Sequence, residues 1–553
     1  MRQLRFNPRN FALLVIALVF TVPHIWSAQF YQGYYYPKKC FIAFIIALAA
    51  FALAFEKRLL LPEKRILILS GILLILKVIA TLLNLNWVTF FNLTDAVALG
   101  VLCIYFMTAW QNHKLALTDL YWIFAISGFV ICAVSIQQFI NARILIGQGN
   151  PLFFSGHFGN INMMTEYLIL LTPLGLYLLK ETHGWRGYII QFIMTFWIFF
   201  ILAGQSRTTW LGLAFCFGYG LFKKLKKKEW ATFALAAALF VATWFIPNHG
   251  QDYAEAKRVS VIGRMEIYRG AINMLLDNPL GVGGGEFEYS YLPYQLGTTH
   301  TPRELVRYES PHSEPMKWGI ENGWAFLLVN SSWWFVLMFL VWRIPGSPSA
   351  QTFYRTSFAV MIPQVLFQFP FDDPASYVVI ALMLGLIFLA IKGAEYPFKK
   401  SLKVFVVIAA LFFTGRAVTE TANKWIDSQL NKDKEATRLG CEIDPTNWRV
   451  CFYHEMILIQ SDYAADAVPI AKWQLRQRPF QFHNLRILGI HQFMTGDIQK
   501  ACETAHVYDS LFKGNSYFTP ILAEKCIGAT PPFKFENSSQ FNRDYRNWLS
   551  TQL

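Results

Sequence analysis

Apolar windows of the length that crosses a bilayer's hydrocarbon core, about 15–22 residues, recur thirteen times along the chain. They fall at 11–28, 40–55, 66–83, 93–110, 119–139, 163–179, 187–203, 208–222, 231–246, 324–342, 355–371, 376–392 and 402–415. Each predicts a helix, and short polar runs separate most of them. Two stretches break the pattern: residues 247–323 stay largely polar, and beyond residue 415 the composition becomes that of a soluble domain. The pattern therefore predicts an all-α polytopic membrane protein with about 13 transmembrane helices and four parts. These are helices over 1–246, a large outward loop over 247–323, helices over 324–415 and an exported helical domain over 416–553.

Inside the large loop, Ile262, Met265, Tyr268, Ile272, Leu275 and Leu276 recur every three or four residues, with Arg258, Arg264 and Arg269 between them. That spacing predicts a helix over 260–277 lying in the membrane interface, apolar side down and basic side available. It ends at Asp277-Asn278-Pro279. The glycine run Gly281-Val282-Gly283-Gly284-Gly285 follows, read as a flexible turn that returns the loop over the outer surface. It lacks the Gly-Lys-Ser/Thr of a phosphate loop and the strand that precedes a dinucleotide site.

In the last part, Pro445 and Pro479 are 34 residues apart, as are Ala467 and Ala501. A 34-residue period with alanine-centred packing is the signature of tetratricopeptide-like helix pairs; an unrelated small helical domain is the alternative.

Composition supports the membrane reading. Only 15% of the 553 residues are charged and 54% are hydrophobic, where soluble domains carry roughly 25% charge. The net charge of +14 does not point to nucleic acid, because the basic residues sit in runs between apolar spans. With the N-terminus in the cytoplasm, the inward loops hold Lys57, Arg58, Lys64 and Arg65, then Lys180 and Arg186, then Lys223 to Lys228. The short outward loops hold only Lys38, Lys39, Arg143 and Arg207, as the positive-inside rule requires. The large loop and the C-terminal part then lie outside the cytoplasm.

The outward basic residues do not serve orientation, so they are candidates for chemistry. Lys38 and Lys39 either snorkel to head groups or face an anionic ligand. Arg207 stands in the tight turn Gly204-Gln205-Ser206-Arg207. In Gly159-Asn160-Ile161-Asn162, Asn160 and Asn162 offer amides suited to sugar hydroxyls, or simply cap the next helix. His312, in Ser310-Pro311-His312-Ser313-Glu314 near the loop's end, is a candidate general base, with His157, His249 and His300 as competitors.

The first outward loop, 27–39, has no acidic residue, and Asp372-Asp373 is a weak metal candidate beside Pro374. Arginines binding a diphosphate fit better than a metal site, and no cofactor is called for. Of the eight cysteines, four sit in apolar windows. Cys441, Cys451, Cys502 and Cys526 lie in the exported domain, and pairing 441–451 and 502–526 closes one local stretch each.

Gly263-Arg264-Met265-Glu266-Ile267-Tyr268, Asn278-Pro279-Leu280-Gly281-Val282-Gly283, and His312-Ser313 with Glu321-x-Gly323 resemble the O-antigen ligase and bacterial protein O-oligosaccharyltransferase superfamily. Gly159-Asn160-Ile161-Asn162 and Gln205-Ser206-Arg207 match two further motifs of that family, in its order. Two positions depart: Tyr268 stands where tryptophan is usual, and Ser313 replaces an asparagine.

The resemblance implies a periplasmic site in a bacterial inner membrane, a donor glycan on undecaprenyl diphosphate and transfer to an acceptor hydroxyl by metal-independent inversion. Arg207 and Arg264 would bind the diphosphate, with Arg269, Lys38 and Lys39 as weaker candidates. His312 would be the base, and Asn160 and Asn162 would shape the site. The 138 or so residues after the last window favour a protein acceptor, such as a pilin-like serine or threonine, over lipid A-core or a growing glycan. A transporter of the same lipid would carry charges within its spans, and Lys77 is the one clear example.

Overall fold

The computed structural model describes residues 7–26, 36–141, 155–222, 227–242, 251–296, 310–391, 394–397, 400–428, 434–443, 448–460, 464–477, 482–511, 526, 532 and 538–552. Each apolar window overlaps a helix: α1 (Pro8–Thr21), α2 (Tyr36–Phe55), α3 (Lys64–Leu83), α4 (Trp87–Asn112), α5 (Tyr121–Phe139), α6 (Ile161–Glu181), α7 (Gly184–Ala203), α8 (Arg207–Phe222) and α9 (Lys227–Ala242) precede the loop. After it come α13 (Glu314–Trp342), α14 (Pro348–Phe367), α15 (Pro374–Ala390) and α16 (Lys400–Ser428). Among the described residues, seven helices are long and apolar enough to cross a membrane; α1 and α15 are shorter apolar helices. Length and apolarity thus single out fewer spans than the thirteen windows.

The helices pack as one bundle, α2 against α16, α4 against α15, α8 against α14 and α3 against α13. α15 is buried on every side and α6 over most of its length, as expected of central helices that are apolar all round. Contacts at one end of the bundle join distant helices. Lys38 at the start of α2 donates to the carbonyl of His157, just before α6, at 2.6 Å. The N–H of Phe371, between α14 and α15, donates to Glu314 at the start of α13 at 3.1 Å.

The all-α expectation missed one feature. Arg58–Leu61 (β1) and Ala394–Pro397 (β2) form a two-stranded antiparallel ribbon at the opposite end of the bundle, with Arg58 opposite Pro397. Four-residue runs beside helices carry too little alternation to be read as strands.

In the loop, α10 (Gln251–Asp277) begins earlier than the predicted 260–277, and two short helices follow it, α11 (Phe287–Ser290) and α12 (Leu292–Leu296). Ile267, Ala271, Met274 and Leu275 of α10 are buried with Phe287, Tyr291, Tyr294 and Ile320. The buried face is therefore not the one expected. Met265, Ile272 and Leu276 share another face and are exposed, leaving an apolar stripe of the kind the interface reading requires.

The C-terminal part is helical: α17 (Lys434–Ile443), α18 (Trp448–Gln460), α19 (Ala464–Gln477), α20 (Phe482–Met494), α21 (Ile498–Leu511) and α22 (Ser538–Gln552). Each of α17 to α20 packs on the next helix in the chain. α18 and α20 begin 34 residues apart, as do α19 and α21, and Ala467 and Ala501 are both fully buried. Disulfides join Cys441 to Cys451 and Cys502 to Cys526, the pairing expected from local spacing. Pro445 and Pro479 lie outside the described residues.

Candidate functional site

Two parts of the polar loop that are far apart in sequence dock on each other. Gly323 interrupts α13 with φ 87° and ψ 172°, conformations open to glycine and costly for other residues. A kink frees helical backbone groups, and here the glycine run takes them. The N–H of Val282 donates to the carbonyl of Ile320 at 3.0 Å, and that of Gly283 to Glu321 at 2.9 Å. The N–H of Trp324 donates to Pro279 at 3.1 Å. Gly281 and Gly323 face each other so closely that a Cβ on Gly281 would stand 2.5 Å from the carbonyl oxygen of Glu321. The run expected to be a flexible turn is a packed joint.

Polar side chains lock the joint from below. Glu321 is buried and accepts the N–H of Gly285. Lys77 lies within electrostatic reach of Glu321, and its Nζ donates to Asn92 Oδ1 at 2.5 Å. Asn92 in turn packs against Gly284. The mid-span charge noted in the sequence thus holds a polar network inside the protein.

His312 sits just ahead of α13, with φ 54°, a left-handed conformation that a non-glycine residue holds only when its surroundings fix it. Its N–H donates to Ser310 Oγ at 3.3 Å, and the hydroxyl of Tyr268 donates to its carbonyl at 3.3 Å. The ring lies 5.3 Å from that of Phe369. The 369–373 segment is held there by Glu314 and by Lys317, whose Nζ reaches both oxygens of Asp372 at 2.6 Å. The Nδ1 of His312 is buried without a hydrogen-bond partner among the described residues. Burial, and then the charge of Arg264, push its pKa down to about 4, so the ring is neutral near pH 7.

Arg264, half-buried on α10, is one turn from Tyr268 on the same face. Burial lowers its pKa, the neighbouring Tyr268 raises it, and the charge of Arg207 lowers it again. Arg207 and His312 thus both lie within electrostatic reach of Arg264. Arg207 opens α8 and is exposed. Its place is set by Thr208, whose carbonyl and hydroxyl accept from the amides of Gln364 and Gln368 at 3.3 and 3.4 Å; Phe369 follows directly.

The other sequence candidates divide. A Cβ on Gly204 would meet Thr165 and Ile161, so the turn leading to Arg207 packs on the first turn of α6. Asn160 and Asn162 stand beside it. Asn160 Oδ1 accepts the N–H of Asn162 at 2.8 Å, the capping role weighed against sugar binding. Lys38 is not at the surface: it is 1% exposed, donates to His157 and lies 4.8 Å from the Phe158 ring. Lys39 is half-buried. Arg269 is exposed, about 140° around α10 from Arg264 by helical geometry. Asp372 is taken up by Lys317, and Asp373 caps α15 through Ser376. His249 and His300 lie outside the described residues, as do Arg143 and most of the first outward loop.

Residues 192–330 match the family model for the O-antigen ligase. This segment is similar to the O-antigen ligase domain. It runs from within α7 to within α13 and holds Arg207, Arg264, Arg269, His312 and the glycine joint; Lys38, Lys39, Asn160 and Asn162 lie before it. No curated protein matches the chain. The match supports a glycan-transfer role of the ligase or polymerase type. Sequence reasoning missed the docking of the glycine run on Glu321 and Gly323 and the Lys317–Asp372 pair. The nine-residue step from His312 to Glu321 was the available signal for the first.

Proposed function

We propose that the protein transfers a glycan from undecaprenyl diphosphate to an acceptor hydroxyl at the periplasmic face of the bacterial inner membrane, the acceptor being a protein serine or threonine. The observation that carries this reading is a half-buried, neutral His312 with its Nδ1 unpartnered among the described residues, within electrostatic reach of Arg264, which is in turn within reach of Arg207. Two guanidinium groups bind a diphosphate by forked hydrogen bonds and neutralise the charge it gains as it leaves. The acceptor oxygen attacks the anomeric carbon, the bond from that carbon to the phosphate oxygen breaks, and the hydroxyl proton passes to the unpartnered nitrogen of His312. One displacement inverts the anomeric configuration.

A ring with a pKa near 4 is a weak base in the resting protein. A bound diphosphate offsets the arginine charges and stabilises the imidazolium, which raises that pKa toward its ordinary value. Donor binding in this way primes the base. No step calls for a metal, and the carboxylates of Asp372 and Asp373 are engaged by Lys317 and Ser376. Asn160 and Asn162, on the turn beside Arg207, would shape the glycan site. Lys39 and Arg269 would add long-range attraction for the donor. Lys38 would brace His157.

The protein acceptor rests on the C-terminal helices, whose 34-residue recurrence is that of tetratricopeptide-like pairs, a common peptide-binding scaffold. The family match favours a second reading, ligation to lipid A-core. Comparing periplasmic proteins and lipopolysaccharide by mass spectrometry in cells with and without the gene separates them. Loss of glycan from a protein is the expected result; loss from lipopolysaccharide alone supports ligation.

A further inference from the structure

The imidazole of His312 meets the ring of Phe369, with centroids 5.3 Å apart and planes tilted by 50°. Phe369 follows Gln368 at the end of α14, and the chain around it is held at several points. Its carbonyl accepts the N–H groups of Asp372 and Asp373 at 2.9 and 3.3 Å. Before it, the Gln368 amide donates to the Thr208 hydroxyl at 3.4 Å. After it, the N–H of Phe371 donates to Glu314 at 3.1 Å, and the Phe371 ring lies 5.4 Å from that of Trp318. Lys317 grips Asp372, and Asp373 accepts the N–H and the hydroxyl of Ser376. Glu314, Lys317 and Asp373 are buried. Taking charges out of water is costly, and what these charges fix is the place of the segment that carries Phe369.

The proposed transfer step asks more of His312 than a neutral ring. When the acceptor proton reaches Nδ1 the ring becomes a cation, and its surroundings decide how stable that cation is. From α10, the charge of Arg264 opposes it, and the Tyr268 hydroxyl is turned to the His312 carbonyl. On α13, Glu314 is engaged with Phe371. In the segment after α14, Asp372 is paired with Lys317. What remains is Phe369. The face of an aromatic ring is electron-rich, and a cation within about 6 Å of the ring's centre is attracted to it. The Phe369 ring is within that distance. Its attraction acts mainly on the charged form of His312, so it favours the transition state of proton transfer over the resting state.

We propose that Phe369 is a positioning residue for the transfer step: its ring holds the His312 imidazole and stabilises the imidazolium that forms as the acceptor proton moves to Nδ1. The inference rests on the transferase reading for its reaction, but the ring contact can be measured without turnover. Fluorine withdraws electron density from a phenyl ring and nearly keeps its shape, so mono-, di- and trifluorophenylalanine are placed at position 369 of the full-length protein. The His312 imidazole of each protein is titrated by nitrogen NMR in detergent micelles, its signal assigned by its absence in His312→Ala. Glycan transfer from an undecaprenyl-diphosphate donor in liposomes is measured alongside, together with donor affinity.

Proton binding by His312 is expected to weaken with each fluorine, about three-fold in all, and transfer to fall in the same order with donor affinity unchanged. Phe369→Trp, whose ring attracts a cation more strongly, is expected to move the titration to higher pH, and it serves as the second variant should the fluorinated proteins fail to fold. A titration unmoved by fluorine or by tryptophan would overturn the proposal, since a ring that merely fills space gives that result. Fluorinated proteins that transfer as fast as an active unaltered protein would overturn it too. A fluorine-dependent titration without glycan transfer by the unaltered protein would sink the transferase reading and leave the ring contact standing.

Discussion

At the scale of single residues, the proposed site is one neutral imidazole with two guanidinium groups near it. Arg264 helps to hold the His312 pKa at about 4, and the transfer step needs the ring neutral. For free enzyme and donor, kcat/KM is therefore expected to be flat near neutrality and to fall as pH drops through about 4. Arg264→Gln removes a charge that disfavours the imidazolium, so the fall is expected to move to higher pH. A pH–rate profile of the two proteins checks both statements. Replacing Arg207 or Arg264 by lysine keeps the charge and loses the fork, and donor affinity, measured by lipid-diphosphate binding, is expected to drop about tenfold or more, since a charge-assisted hydrogen bond is worth roughly 1.5–3 kcal/mol. The sequence marked these residues because they are basic or titratable where orientation does not require them. It did not mark Lys38 as internal, because its burial depends on Phe158 and His157, some 120 residues away.

At the scale of elements, the kink in α13 and the glycine run form a single joint. Gly281 has φ 89° and faces the backbone of Glu321 and Gly323. An alanine there meets both strain and overlap, at about 1–2 kcal/mol for the left-handed conformation and roughly 1–3 kcal/mol for overpacking. Gly281→Ala is expected to lower the thermal midpoint and reduce transfer, whereas Gly263→Ala, where an added Cβ meets nothing, is expected to keep both. Thermal unfolding in detergent with a parallel transfer assay tests the contrast. The glycines were legible as a break in the helical pattern, but not as a joint, since periodicity reports only local neighbours. The backbone bonds that define the joint span about forty residues. For the same reason α10 was legible as an amphipathic helix while the face it buries was not.

At the scale of the whole molecule, the apolar windows marked where the bundle's helices lie, because bilayer thickness acts along the sequence. The small β ribbon and the seats of the charged pairs arise from contacts between distant segments and left no local trace. The C-terminal helices also touch the loop. α22 buries Tyr545, Trp548 and Leu549 in their core and packs against α12. Removing residues 434–553 is expected to abolish transfer to a protein while leaving lipid-diphosphate binding within a few-fold of the full chain, as measured with the same two assays.

The central claim is that His312 acts on the acceptor between two diphosphate-binding arginines. Its most direct measurement is glycan transfer from a defined undecaprenyl-diphosphate donor by purified protein in liposomes, comparing the unaltered chain with His312→Ala and recording donor binding for both. Loss of a general base costs about 10²–10⁴ in rate, so transfer is expected to fall by that factor with donor affinity unchanged. Transfer by His312→Ala at the rate of the unaltered protein would contradict the mechanism.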